Sequence, residues 1–106
     1  MRAGDPENGS QEISHARARY ESLLTRSPLA FADHAAEFFL GSGHDPERAW
    51  ALAEQNLANR DTERSAALAV KAAELTGRYA EACKLLRNHG PSVEIYLKSL
   101  DRVLAR

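Results

Sequence analysis

Two stretches of this chain carry one pattern 34 residues apart, AAEFFLGSG at 35–43 and AVKAAELTG at 69–77. Ala35 aligns with Ala69, Ala36 with Val70, Phe39 with Ala73, Ser42 with Thr76 and Gly43 with Gly77. Each stretch repeats small apolar residues at helical spacing and stops at glycine, which takes the left-handed C′ conformation without a Cβ clash. The segments after the two glycines align at a spacing of 33, Ala49 with Ala82 and Ala53 with Leu86; one extra residue within HDPE accounts for the difference. The same spacing carries Ala49 back to Ala16 and Leu57 back to Leu24. A repeated two-helix unit cannot bury its apolar face alone, so the units must stack.

The helix boundaries follow from local signals. Ile13, Ala16, Tyr20, Leu23 and Leu24 share one face of a first helix, for which Ser10 is an N-cap candidate and Glu7 and Asn8 are close competitors. Ser27-Pro28 stops it, because a residue before proline avoids the α region. A second helix carries Ala32, Ala35, Ala36 and Phe39, and ends at Gly41 and Gly43. Asp45-Pro46 starts a third, with a capping carboxylate and a proline that lacks an N–H where none is needed. Ala49, Leu52, Ala53 and Leu57 form its stripe, with Trp50 at the edge. Asp61 or Thr62 caps a fourth, whose stripe is Ala66, Ala69, Val70 and Ala73. A fifth places Tyr79, Ala82, Leu85 and Leu86 inward, with Cys83 buried or half-buried beside Ala82. After HGPS, a sixth collects Val93, Tyr96, Leu97, Leu100, Val103 and Leu104. No stretch alternates as a strand does, so the chain is all-α, with short loops that make neighbouring helices antiparallel. At 106 residues it forms one domain over 11–106, after a polar lead at 1–10 expected to be disordered.

This pattern resembles the tetratricopeptide repeat (TPR), a helix–turn–helix unit of 34 residues. Ala32, Ala35, Ala36, Phe39 and Gly43 match the first helix and turn of one unit, and Ala49 its second helix, displaced by the inserted residue. Ala66, Ala69, Val70, Ala73, Gly77, Ala82 and Leu86 match the next. Ala16, Tyr20 and Pro28 match the second half of an earlier unit. The family's aromatic is replaced by Ala73, and its proline by Asp61. The resemblance covers about residues 12–90 and implies a superhelix of antiparallel hairpins, with the sixth helix as a C-terminal cap on the open end of the array.

Residues suggestive of chemistry have simpler roles. Ser42, His44 and Asp45 adjoin in sequence, whereas the side chains of a triad converge from separate segments. Asp45 is needed as a cap, and the second copy of the turn lacks both His and Asp. His34 with Glu37, and Asp33 nearby, is the best metal-ligand spacing, but no second histidine pair shares that face. No catalytic residue, metal or cofactor is therefore expected. A net charge of −1 implies no attraction to nucleic acid or an anionic membrane. Residues 1–45 hold 4 basic and 7 acidic side chains, and the rest 10 and 8. One cysteine, no apolar leader and no run long enough to span a bilayer fit a reducing, cytoplasmic location.

The resemblance also implies a function: a non-enzymatic scaffold or adaptor that binds a peptide or helix in a concave groove lined by the first helix of each unit. The groove positions map onto Asp33, Glu37 and Leu40 in one unit, and onto Arg64, Ala67, Lys71 and Glu74 in the next. Asp33 and Glu37 argue against the acidic C-terminal tails that some relatives clamp, and favour a partner with Lys or Arg. The alternative is a small all-helical regulator or structural protein that acts by homo-oligomerisation, as a homodimer, through its apolar edges.

Overall fold

The computed structural model describes residues 6–105. Six helices and no strand occur among them: α1 (Pro6–Arg26), α2 (Pro28–Leu40), α3 (Pro46–Asn59), α4 (Glu63–Leu75), α5 (Tyr79–His89) and α6 (Ser92–Leu104). None is long and apolar enough to cross a membrane.

Proline opens three of the helices, where its fixed φ is already helical. One of these differs from expectation: α1 starts at Pro6, not after Ser10. Of the lead expected to be disordered, residues 6–10 are helical and 1–5 lie outside the described residues. Asp45 caps α3 as expected, accepting from the backbone N–H of Arg48 at 3.1 Å. Thr62, rather than Asp61, caps α4, its hydroxyl accepting from Ser65 N–H at 3.1 Å.

The two repeated turns close with related hydrogen bonds. Arg78 N–H donates to the Ala73 carbonyl at 2.7 Å, and Gly77 between them sits at φ +77°. In the longer turn, Asp45 N–H donates to the Phe39 carbonyl at 2.9 Å, and the inserted residue is taken up at His44, φ +48°. The left-handed position there belongs to His44, not to glycine. Gly43 is required for a different reason: a Cβ on it would lie 2.7 Å from the Phe38 ring.

α4 is the centre of the molecule. Its segment Ser65–Val70 is buried throughout, as are Ala72 and Ala73, so it is apolar on more faces than one stripe provides. It packs against α2, α3, α5 and α6. Fully buried alanines at 35, 36, 49, 53, 66 and 73 let the helix axes approach closely, and Phe39, Leu68 and Val70 fill the space between. α1 packs on α2 through Tyr20, stacked on Phe38 with ring centroids 5.1 Å apart. Arg17 extends from α1 to donate to the Gly43 carbonyl at 2.7 Å, and Arg48 reaches back to Glu21 at 2.5 Å.

Two expectations fail at the C-terminal end. α6 does not cap the end of the array; it folds back onto α4, anchored by Val93 and Leu100, and touches α5 only slightly. α4 has a further apolar face to cover, whereas α5 buries Ala82 alone. For the same reason Tyr79 is 67% exposed, although the periodicity turned it inward, and Cys83, expected to be buried or half-buried beside Ala82, is exposed.

A candidate binding face on α2 and α4

Asp33 and Glu37 lie one turn apart on α2, and Arg64 lies in the first turn of α4. The packing of α2 beside α4 brings the three together. The Arg64 guanidinium donates Nη1 to Asp33 Oδ2 at 2.9 Å and Nη2 to Glu37 Oε2 at 3.2 Å. One guanidinium fork thus bridges two carboxylates, giving a separate N–H group to each. The basic group expected from a partner is already supplied within the chain.

Lys71 lies two turns further along α4. Its ammonium is 2.7 Å from Asp101 of α6 and 3.8 Å from Glu74. The five predicted positions therefore fall into two clusters, Asp33–Glu37–Arg64 between α2 and α4, and Lys71–Glu74 beside α6. The other two predicted groove positions are not exposed. Ala67 is 2% exposed beneath α6 and Leu40 is 9% exposed in the core. α6 covers part of the face that the repeat pattern leaves open.

The part left open is a channel of two adjoining clefts that share Glu37 and Val103. The first, about 150 Å³, lies between Arg64 and Leu68 of α4 and Tyr96 and Leu100 of α6. The second, about 270 Å³, continues past Phe38 and Ser42 to Tyr20 of α1. Tyr96 and Val103 give the channel an exposed apolar wall, and sequence reasoning missed them because α6 was assigned to the end of the array. Periodicity had placed both inward with Leu100; their partial exposure at the edge of that face was not legible.

The other chemical candidates are dispersed. Ser42 and His44 are exposed, and Asp45 is engaged in its cap. Asp33 accepts from the backbone N–H of His34 at 2.8 Å. No group of three or more His, Cys, Asp or Glu side chains that could hold a metal ion occurs among the described residues. His89, which no motif singled out, bridges the Leu85 carbonyl (3.0 Å from Nδ1) and Asp61 Oδ1 (2.9 Å from Nε2). Both neighbours are acceptors, and only imidazolium offers two donors. The Leu85 carbonyl first, then Asp61, raise the His89 pKa above its ordinary value.

No family model, curated protein or solved structure matches this chain.

Proposed function

We propose that this chain is a non-enzymatic protein–protein interaction module, a TPR-like stack of helical hairpins that binds a peptide or helix along the α2–α4 face. A cytoplasmic scaffold or adaptor role, without cofactor, belongs to the same proposal. The observation that carries it is the channel between α1 and α6, with Tyr20 and Phe38 at one end and Tyr96 and Val103 along its wall. Because Arg64 already engages both Asp33 and Glu37 and offsets one of their two charges, the ligand is held mainly by apolar anchors, and its own basic group would have to compete with Arg64. Aromatic and aliphatic anchors in a partly enclosed cleft supply most of the energy in such contacts.

Selection of displayed random peptides on the immobilised full chain tests this. Peptides that bind the wild type are expected to lose roughly tenfold or more in affinity for the Tyr96→Ala/Val103→Asp variant. Undiminished binding to that variant, with its helicity intact, would remove the channel from consideration. Homo-oligomerisation is the second reading, supported by Ile95 at 70% exposure beside Tyr96 and Val103 on α6. Light scattering across a concentration series separates the two: a monomer favours the channel, a tight dimer the exposed face of α6.

A further inference from the structure

A second concavity lies on the other side of α4, between α3 and α5. The two helices run parallel there, as two ion pairs demonstrate. Near their starts Arg78 bridges Glu47 at 3.1 Å, and at their ends His89, the last residue of α5, meets Asp61, just past α3, at 2.9 Å. Between these bridges the helices leave a trough of about 570 Å³, within the range of small-molecule sites. Its floor is Trp50 and the small side chain of Ala69, both buried, and Leu57 and Leu85 line its flanks. The Asp61–His89 pair lines one end of the trough.

The charge at its mouth is unbalanced. Glu54 stands on the α3 side and Glu81 on the α5 side, and neither enters a salt bridge among the described residues. Arg78 is engaged by Glu47 and is also within electrostatic reach of Glu81 and Glu54. Three carboxylates, Glu54, Asp61 and Glu81, line the trough against two basic side chains, Lys84 and His89. Arg78 also lies 5.2 Å from the Trp50 ring centroid, so this indole already holds one cation.

We propose that the trough between α3 and α5 binds small apolar molecules that carry a protonated amine, with the apolar body over Trp50 and Ala69 and the ammonium held by Glu54 and Glu81. The site is on a different face from the channel beside α6 and does not depend on it.

Trp50 is the single tryptophan of the chain, so its fluorescence reports occupancy directly. The full chain would be titrated with 4-phenylbutylamine, 4-phenylbutanol and 4-phenylbutyric acid. The amine should give a saturable change with half-saturation of about a millimolar, as its size implies. The alcohol and the acid should bind roughly tenfold more weakly, since only the ammonium brings a positive charge to the two carboxylates. In a Glu54→Gln/Glu81→Gln variant the preference for amine over alcohol should vanish while the alcohol still binds. Ala58→Leu, which fills the mouth from an exposed position, should weaken all three. The proposal is overturned if the amine does not saturate, if the alcohol or acid matches it, or if Ala58→Leu, with helicity unchanged by circular dichroism, leaves binding intact.

Discussion

The hairpins α2–α3 and α4–α5 align apart from one residue inserted in the first turn, yet they are buried very differently. At the spacing of 33, Trp50 corresponds to Cys83 and Asn56 to His89. Trp50 is 8% exposed and Asn56 1%, because α4 and the start of α5 lie over them. Cys83 is exposed, because α6 turns away onto α4 and leaves that side of α5 uncovered. Asn56 donates forward to the Ser65 hydroxyl at 3.0 Å, inside the next helix, whereas His89 reaches back to Asp61. A repeat position thus has no fixed burial; the element stacked on it decides.

The sharpest way to break this comparison is to truncate the matched pair. Trp50→Ala should cost about 3–5 kcal/mol, enough to threaten folding, and Cys83→Ala should stay within about 0.5 kcal/mol. Urea unfolding of the two variants reads both, and equal costs would refute the asymmetry. A thiol reagent should also label Cys83 in the native chain without unfolding it.

The two turn glycines come next in size. Gly43→Ala puts a Cβ against the Phe38 ring, which is itself stacked on Tyr20, so it should cost about 1–3 kcal/mol. Gly77→Ala has open space but a φ of +77°, and should cost about 1 kcal/mol. Thermal melts that rank Gly77→Ala above Gly43→Ala in cost would show that conformation, not crowding, limits both turns.

The smallest effect is the pH dependence at His89. Its folded pKa is raised above the ordinary 6.5, so its stabilisation is fully present below that value and fades as pH rises through the raised pKa. With Asp61 largely exposed, the loss is at most about 1 kcal/mol. The melting temperature should fall from pH 6 to pH 8.5 by more in the wild type than in His89→Gln; Asn56, which does not titrate, adds nothing to that difference.

Much of the fold was legible in the residues. Asp45-Pro46 starts α3, Ser27-Pro28 separates α1 from α2, and Gly77 closes α4, each through contacts within a few residues. The small residues at 35, 36, 49, 53, 66 and 73 marked the close helix contacts correctly. The candidate site was only half legible. Asp33, Glu37 and Arg64 were identified on separate helices, but nothing in their spacing indicates that one guanidinium joins both carboxylates. The left-handed residue of the first turn was assigned to glycine, because an insertion of one residue shifts which position must reverse the chain.

What the sequence by itself determined is local: six helices, the Asp45 and Thr62 caps, and the small-residue stripes that allow the helices to stack. Capping and periodicity act over four to seven residues, so they survive without knowledge of the fold. Only the tertiary structure decided which face α6 covers, that Arg64 closes over α2, and that a trough remains between α3 and α5. Those outcomes depend on how much apolar surface each helix still exposes after its nearest neighbours have packed. α4 is buried nearly all round and has an apolar face left for α6, whereas α5 buries a single alanine and has little to offer. That competition is settled between elements far apart in the chain, where a one-dimensional pattern carries no record of distance.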